Sequence, residues 1–427
     1  MKKTLSLFAL VFVLVFAVSC GGGKSDKTDP TDPTTEPTTE PTTEPTDPTT
    51  EPTEPTTEPT TEPTTEPTTE PTTEPTTEPT TEPTEPTEPT EPTEPTEPTD
   101  QPIEIHEIIG RYADSWGGSH VISAAAWFQP SSWGDTLFHI TKVDTENDFI
   151  IAHNDDELAF AGYEGKWSRF DYVIKDGKIY YCQIASQAET EEAALAVTTA
   201  DRTDPATSGC GEYSWTELTE VVEEGIGKDD EKIAAWATGY EDYTVGEGVD
   251  DDWKTPEKAL GKAVGDSYDV VVLGDGGSIV LTFAKPITDG EGADFAVFEN
   301  SISDTFLEIG TVEVSSDGEH FVAFDNYYLG TEEVASYGGH DARLIWGFAG
   351  KFKQGVGTMF DLAELAGKPE VTEETVDLEA ITHVKIVDVI GDGSQFDSIG
   401  DPIYDPYPTS GSAGFDLDAV AVINELL

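Results

Sequence analysis

Aspartate recurs through residues 388–418, where glycine and proline separate one acid from the next. The acids of this stretch are Asp388, Asp392, Asp397, Asp401, Asp405, Asp416 and Asp418. Calcium takes about six to eight oxygen ligands, and closely spaced carboxylates on a turn-rich backbone supply them. The segment 392–397 lacks the spacing and the final glutamate of an EF-hand loop. The stretch therefore predicts a structural calcium site of another kind; the alternative is that these acids are solvated turn residues and side-chain turn caps.

The predicted calcium ligands combine this stretch with a polar pair elsewhere in the chain. Asp416 and Asp418 alternate on one face of a predicted strand, and the other face of that strand is apolar. Acids beside a hydrophobic core need partners, and Glu299 and Asn300 at the end of another predicted strand are the candidates. We expect calcium ligands among Asp392, Asp397, Asp416, Asp418, Glu299 and Asn300.

Aromatic side chains beside carboxylates indicate a second kind of chemistry. Tyr404 and Tyr407 lie in a proline-held loop, residues 401–408, and Trp253 follows three consecutive aspartates. Aromatic faces suit the apolar side of a sugar ring, while carboxylates accept hydrogen bonds from its hydroxyl groups. We therefore predict Tyr404, Tyr407 and Trp253 as ligand-binding residues. The alternative is that these rings pack on the edge of the folded domain.

Recognisable catalytic motifs are absent from the sequence, which has no nucleophile elbow, phosphate-binding loop or zinc-protease helix. A glycan hydrolase would instead need two carboxyl groups about 5–9 Å apart across a cleft. Glu299 and Asp418 are the candidates for such a pair. The sequence leaves catalysis open and favours a protein that is not an enzyme.

The charge balance is strongly acidic. The chain has 86 acidic residues against 22 basic ones, a formal net charge of −64. Its arginines are Arg111, Arg169, Arg202 and Arg343. Because phosphate binding needs clustered lysine and arginine, this composition excludes nucleic acid as a partner.

The N-terminus has the features of an export signal, predicted for residues 1–19. Lys2 and Lys3 precede an apolar run, residues 5–18, that is too short to span a bilayer. The run ends in Ala17-Val18-Ser19-Cys20, which resembles the lipobox of bacterial lipoproteins, although Ala17 stands where that family more often has leucine. The resemblance implies acylation of Cys20 and anchoring to a membrane by lipid. Gly21 replaces the aspartate associated with inner-membrane retention, which implies the outer membrane, facing the cell exterior.

Residues 20–104 are predicted to form a disordered, lipid-anchored stalk. Most of this segment repeats Thr-Thr-Glu-Pro and Thr-Glu-Pro. Proline at every third or fourth position removes backbone donors, and no apolar side chains offset the entropy of ordering. The glutamates repel one another, so we expect an extended spacer that presents a domain beyond the envelope.

Residues 105–224 are predicted to form a small β-rich α+β domain with one helix and one disulfide. Asp176-Gly177 indicates the turn of a β-hairpin over residues 166–181, and the alanine- and glutamate-rich residues 187–199 indicate the helix. Cys182 and Cys210 remain after Cys20, and two cysteines in an exported protein predict a disulfide that contributes about 3 kcal/mol. The segments 166–171, 181–183 and 209–211 resemble a domain of other predicted bacterial lipoproteins, and this resemblance implies no activity.

Residues 225–427 are predicted to form an antiparallel β-sandwich. Short apolar strands separated by glycine, proline and aspartate turns are typical of that fold. The predicted strands are 270–273, 278–283, 295–299, 310–315, 320–324, 384–389 and 419–423. The segments 274–278, 292–300, 312–318 and 414–420 resemble a family of bacterial cell surface proteins. That resemblance implies a jelly-roll-like module of the galactose-binding or discoidin kind, which binds sugars or other surface ligands.

The leading functional prediction is a non-catalytic binding or adhesion module, stabilised by calcium, on a lipid-anchored stalk. Its expected partners are the membrane, through the lipid anchor, and an extracellular glycan or protein. Two alternatives remain open: an extracellular glycan hydrolase with paired carboxylates, and a passive structural surface protein without a ligand.

Overall fold

The computed structural model describes residues 107–131, 133–158 and 161–426 of the chain. These residues are mainly β-structure in antiparallel sheets, as the sequence predicts. The predicted signal peptide, Cys20 and the stalk over residues 20–104 lie outside the described residues. Within the described ranges, no helix is both long enough and apolar enough to cross a membrane.

The first eight strands form a closed barrel in which each strand pairs with the next and β8 pairs with β1. The strands are β1 (Gly110–Asp114), β2 (Ser119–Ile122), β3 (Ala126–Gln129), β4 (Thr136–Asp144), β5 (Phe149–Asn154), β6 (Trp167–Lys175), β7 (Lys178–Ala188) and β8 (Thr216–Glu220). The predicted hairpin is confirmed by β6 and β7. Asp176 and Gly177 form its turn with φ angles of 55° and 77°, a conformation that Asp-Gly tolerates.

Aromatic side chains fill the interior of the barrel. Trp127 is fully buried and stacks on Phe170 with ring centroids 4.4 Å apart. The indole Nε1 of Trp127 donates to Nδ1 of the buried His120 at 3.1 Å. The interior is therefore a packed core, and closure leaves the sheet without a free edge.

The helix predicted over residues 187–199 is much shorter in the structure. Helix α1 covers Glu191–Leu195, and Gln187 instead belongs to strand β7. The Thr190 side chain accepts from Ala193 N and fixes the start of the helix. The Arg169 guanidinium donates to the carbonyls of Leu195 and Val197, which lie where the helix ends. Composition favoured a longer helix, but sheet pairing and these two contacts determine its limits.

The predicted disulfide is confirmed between Cys182 and Cys210, with a Cα–Cα distance of 5.6 Å. It joins strand β7 to the segment that precedes strand β8. Cys182 is buried and packs with Tyr180, Ala200 and Trp215. The covalent bond therefore fixes the segment between the two strands against the barrel wall.

Reduction of this disulfide should lower the free energy of unfolding of the barrel by about 3 kcal/mol, because the unfolded chain regains loop entropy. Urea unfolding of the oxidised and reduced chain measures the effect. The double variant Cys182→Ala/Cys210→Ala is the control, since reductant should not change its midpoint. Equal midpoints for oxidised and reduced wild-type protein would show that the bond contributes nothing.

In the described part of the chain, fifteen further strands follow the barrel. They are β9 (Ile226–Gly227), β10 (Ala235–Trp236), β11 (Gly239–Thr244), β12 (Val271–Val272), β13 (Ser278–Ile287), β14 (Phe295–Glu299), β15 (Gly310–Ser315), β16 (Val322–Ala323), β17 (Tyr327–Tyr328), β18 (Ile345–Trp346), β19 (Val356–Phe360), β20 (Ile381–Asp388), β21 (Asp392–Phe396), β22 (Pro402–Tyr404) and β23 (Asp416–Val422). One sheet has the order β10-β23-β14-β19-β9, with β12 also paired to β23. The other has the order β11-β13-β20-β15-β16, and β17-β18 and β21-β22 form two small hairpin-like ladders.

Short helices complete this part of the chain. Helix α2 is Pro369–Thr372, and the 3₁₀ helices are Asp251–Trp253, Pro256–Ala259, Ala342–Leu344, Leu362–Leu365 and Leu378–Ala380. Several of them begin after an aspartate whose side chain caps the backbone, as Asp361 does for Ala363 N.

The two larger sheets enclose a common hydrophobic core, as expected for a sandwich. Ile279 and Leu281 of strand β13 are fully buried in it, and Phe283 packs against it, which confirms the predicted alternation. Strands β14 and β15 have the predicted bounds, while β20 starts three residues before its predicted start. The last residues of β14 and β20 and the first residue of β23 are acidic, namely Glu299, Asp388 and Asp416. These three acids lie in the same region of the sandwich.

The barrel also packs directly against the sandwich. Val121 of strand β2 shares a buried cluster with Tyr327 and Trp346 of strands β17 and β18. The guanidinium of Arg111 lies 5.4 Å from the Trp346 ring centroid. Lys351 Nζ lies 3.7 Å from the same centroid and bonds Glu223 Oε2 at 2.6 Å. Apolar packing and cation–π contacts together hold this junction.

Candidate metal centre in the sandwich

Five carboxylates are buried together in the sandwich, and we name them the central carboxylate cluster. The members, each at most 4% exposed, are Glu299, Glu308, Asp388, Asp405 and Asp416. Glu308 lies among them, since the negative charges of the other four all raise its pKa. Five separate chain segments contribute to the cluster, so folding alone brings these acids together.

Strand pairing places Glu299 beside Asp416. Strand β14 runs antiparallel to β23, and the register shifts between Phe298 and Glu299. Asn300, which follows the strand, donates from Nδ2 to Asp416 Oδ2 at 3.0 Å. The irregular register ends the ladder at this point and leaves two carboxylates and an amide in a buried space.

Two carboxylate oxygens of the cluster have no hydrogen-bond partner in the described part of the chain. Ser301 donates to Glu299 Oε2 from its backbone N at 2.8 Å and also from its hydroxyl group. The other oxygen, Glu299 Oε1, is buried and accepts nothing. Asp416 Oδ1 is likewise buried and without a partner. Buried polar atoms are nearly always paired, so these two oxygens are exceptions within the described fold.

Asp388 and Asp405 bind the loops around the cluster. Asp388 accepts from Phe415 N at 2.6 Å and from Gly276 N at 2.8 Å. Asp405 accepts from Ile309 N at 3.3 Å and lies 2.9 Å from His340 Nε2. These two carboxylates are hydrogen-bonded to backbone or ring nitrogen, unlike the free oxygens of Glu299 and Asp416.

Two glycines allow the backbone to approach these acids. A Cβ at Gly414 would lie 2.4 Å from Asp388 Oδ1, and one at Gly350 would lie 1.9 Å from the Glu308 carbonyl oxygen. Both residues have positive φ angles, 69° and 87°. Only glycine adopts such a conformation without strain and also leaves the space free.

Burial dominates the electrostatics of the cluster. Desolvation raises the pKa of Glu299, Glu308, Asp388 and Asp405 well above the ordinary range. It raises the pKa of Asp416 to about 8. Removal from water disfavours the charged form, and neighbouring negative charges add to the effect in Glu299, Glu308 and Asp388.

Protein cations do not neutralise the cluster. Among the described residues, no lysine or arginine forms an ion pair with any of its five carboxylates, and the one histidine in contact is His340. Burial lowers the pKa of His340 to about 4, so its ring is neutral at pH 7. The buried negative charge must therefore be balanced by protons or by a bound cation.

The oxygen ligands present here suit a hard cation such as calcium. Glu299 Oε1 and Asp416 Oδ1 are free acceptors, and Glu308 adds a third carboxylate beside them. Calcium binds carboxylate and carbonyl oxygens and tolerates irregular geometry, whereas zinc favours nitrogen and sulfur. Glu299 and Asp416 thus offer free oxygens of the kind that calcium takes, although their oxygens and those of Glu308 do not all lie within 4.8 Å of one another.

A second acidic group lies elsewhere in the sandwich. Within the described residues, Asp289, Asp294 and Asp361 are the group of three acids whose oxygens all lie within 4.8 Å of one another. The central carboxylate cluster is therefore wider than this triad. Asp294, however, already accepts from Gly290 N, Leu362 N and Asn424 Nδ2. Its oxygens are paired, so the tighter triad offers less reason to expect a ligand.

The structure brings three of the six predicted calcium ligands together. Glu299, Asn300 and Asp416 meet at the cluster as described above. Asp418 instead accepts from Val264 N and Gly265 N, at 2.9 and 2.8 Å. It therefore fixes a loop on the outside of strand β23.

The other two predicted ligands also bind backbone groups. Asp397 accepts from Tyr328 N, Ile399 N and Asp401 N. Asp392 is exposed, and its Oδ1 accepts from Ser394 N at 2.9 Å. Both have the turn-capping role that the sequence left as the alternative.

The predicted hydrolase pair has no shared cleft. Asp416 is the acid whose charge acts on Glu299, whereas Asp266 and Asp269 act on Asp418. Glu299 and Asp418 are 1% and 2% exposed, so neither carboxyl group is open to a glycan chain. The geometry gives no support to paired-carboxylate hydrolysis by these residues.

The predicted aromatic ligand-binding residues are half-buried. Tyr404 packs edge-on against Tyr328, with ring centroids 6.2 Å apart. Tyr407 N donates to Val334 O at 3.4 Å, next to a surface loop. Trp253 stacks with the exposed Tyr268 at 6.4 Å. Tyr404 and Tyr407 thus lie near one another, and Trp253 belongs to a separate aromatic pair.

Glu308 was missed as a site residue from the sequence. It stands between Leu307 and Ile309, both fully buried. An acid flanked by aliphatic residues, directly before a predicted strand, is the signal that was available. His340 gave no such signal, since its role depends on contact with Asp405 across the fold.

Comparison with models of known protein families finds none that matches this chain. Comparison with curated protein sequences finds no relative either.

Proposed function

We propose that this chain is a lipid-anchored surface protein whose folded part is a non-catalytic binding module stabilised by calcium. The central carboxylate cluster would hold the ion, with the unpartnered oxygens of Glu299 and Asp416 as ligands. The lipobox-like Cys20 and the residues that follow it support anchoring in the outer membrane and display outward. A glycan or another extracellular molecule is the proposed ligand of the module.

One observation carries the calcium proposal. Glu299 Oε1 and Asp416 Oδ1 are buried acceptors without a donor, in a cluster that no lysine or arginine of the described residues neutralises. Leaving a buried polar group unpaired costs about 1–3 kcal/mol, and more when the group is charged. A divalent cation removes this cost and the repulsion between the carboxylates at the same time.

A passive structural role is less well supported by the same residues. A protein that serves only as a spacer or coat has no use for a buried acidic cluster with two unpartnered oxygens, because a hydrophobic core of equal volume is at least as stable. Retention of a costly buried polar cluster is common at sites that bind a ligand.

Calcium should raise the thermal stability of the protein. A ligand that binds only the native state adds about 2.7 kcal/mol at one hundred times its dissociation constant. Thermal unfolding of the oxidised chain in millimolar calcium and in chelator measures the difference. Magnesium at the same concentration is the control, since its smaller octahedral shell should fit the wide cluster less well. Identical melting curves in calcium and chelator would refute the proposal.

A further inference from the structure

A cavity of about 340 Å³ lies at the surface of the sandwich beneath the connection between strands β17 and β18. The connection runs from residue 329 to residue 344. Loops longer than about 12–15 residues are uncommon in compact domains and are usually functional. Small-molecule sites have volumes of roughly 300–1,000 Å³, so this cavity suits a small ligand.

The loop over the cavity is held in place by backbone contacts. His340 N donates to Thr305 O at 2.7 Å, and Tyr407 N donates to Val334 O at 3.4 Å. Within the loop, Gly338 N donates to Ala335 O at 2.6 Å. The cavity is thus formed before any ligand binds, which lowers the entropic cost of binding.

Tyr328 and His340 form the inner wall of the cavity, and both side chains are fixed. His340 Nε2 lies 2.9 Å from Asp405 Oδ1, and His340 Nδ1 lies 3.4 Å from the Tyr328 hydroxyl. Burial raises the pKa of Tyr328, so its phenol stays protonated at neutral pH. The inner wall therefore offers fixed hydrogen-bonding groups to a ligand.

The outer wall combines acidic and apolar side chains. Glu332 and Glu333 line the cavity, and neither forms an ion pair with a described residue. Asp341 is already paired with Arg343 at 2.5 Å. Val334 and Leu344 add apolar surface. Free carboxylates accept hydrogen bonds from hydroxyl groups and repel anions, while aliphatic side chains cover the C–H face of a sugar ring.

We propose that this cavity is the ligand site of the module and that it binds a neutral hexose at the end of a glycan. The inference rests on the proposed function, because it assumes a binding module. Glu332 and Glu333 accept hydrogen bonds from the sugar hydroxyls, and the fixed phenol of Tyr328 lies at the inner end. Asp405 of the central carboxylate cluster contacts His340 of this wall at 2.9 Å, so the two sites are joined by one hydrogen bond.

Binding is tested with the whole chain in detergent and with methyl glycosides of glucose, galactose and mannose as probes. Isothermal titration in millimolar calcium should detect at least one of them, and glucuronate should not bind. The double variant Glu332→Ala/Glu333→Ala should weaken binding at least tenfold, since hydrogen bonds to charged groups are lost. The variant Glu291→Ala is the matched control, because Glu291 is exposed and lies in another loop.

The outcomes separate this inference from the calcium proposal. Failure of all three glycosides to bind, or unchanged affinity in the double variant, overturns the sugar site. Binding of tetramethylammonium in place of every glycoside also overturns it, since the free carboxylates would then serve an organic cation. Melting curves of the same samples with calcium and with chelator test the cluster independently of the sugar.

Discussion

Replacing Glu299 by glutamine and Asp416 by asparagine should make the protein more stable without calcium and insensitive to added calcium. Each amide keeps one oxygen for the existing contacts with Ser301 and Asn300. Its NH₂ group takes the position of an unpartnered oxygen. The substitutions therefore remove charge while leaving shape and the existing hydrogen bonds unchanged.

The size of the effect follows from the raised pKa of Asp416, which is about 8. A carboxyl group whose pKa rises from its ordinary value to about 8 on folding destabilises the native state at pH 7 by roughly 3–5 kcal/mol. Asparagine has no such cost. Urea unfolding in chelator should thus give a higher midpoint for the double variant than for the wild type.

The matched control for this experiment is Asp392→Asn, which changes an exposed aspartate of the same acidic stretch. Its carboxylate accepts from Ser394 N, and asparagine can keep that contact. We expect the control to retain both the calcium response and the wild-type stability in chelator. A double variant that still responds to calcium like the wild type would place the ion elsewhere, with Asp289, Asp294 and Asp361 as the next group to change.

Without calcium, stability should fall as the pH rises from 6.5 to 8. The cluster carboxyls have a higher pKa in the folded protein than in the unfolded chain, so the native state binds more protons at neutral pH. Their stabilising contribution is complete below the unfolded pKa and is lost as the pH rises toward the folded value, about 8 for Asp416. Each such group changes stability by about 1.4 kcal/mol per pH unit within that range.

The pH window avoids most other groups, but the exposed His320, whose pKa is raised by Asp317, also loses its contribution there, and the double variant separates it from the cluster. Burial lowers the pKa of His120 and His340, and these residues stabilise the native state as the pH rises toward 6.5. Hydrogen bonds lower the pKa of Asp317, whose contribution is lost only in stronger acid. Urea unfolding at several pH values in chelator gives the slope. A flat profile for the wild type, or an equal slope in Glu299→Gln/Asp416→Asn, would contradict the prediction.

Local patterns in the sequence determined several elements correctly. Alternation of Ile279 and Leu281 with polar or outward residues predicted strand β13, and Asp176-Gly177 predicted the hairpin of β6 and β7. Two cysteines in a chain with a predicted export signal predicted the disulfide. These features depend on residues close in sequence, or on a small number of possible partners.

Closure of the barrel could not be predicted in the same way. It depends on pairing between Tyr112 and Glu220, at opposite ends of the barrel sequence. The helix over residues 187–199 was overestimated because propensity acts along the chain, whereas Arg169 and strand pairing act across it. Long-range contacts therefore decided both features.

Only part of the candidate site could be predicted, because long-range contacts also decide which acids meet there. Glu299 and Asp416 were selected because acids on core-facing strands need partners, and the structure places them together. Glu308 lies in a loop without a strand pattern of its own. Asp392 and Asp397 are equally acidic in sequence, but their side chains turn back to nearby backbone. Spacing alone does not distinguish a ligand from a turn cap.

Strand β1 determines how the folded part would respond to mechanical tension applied from its N-terminal side. Four residue pairs join β1 to β2, and three join it to β8. Arg111 of the same strand also lies over Trp346 in the sandwich. A force that enters at Gly110 must therefore rupture two ladders, and it loads the junction with the sandwich as well. Under the lipid-anchored display proposed above, a first strand held by two neighbouring strands and by the sandwich would resist unfolding when the anchor is pulled.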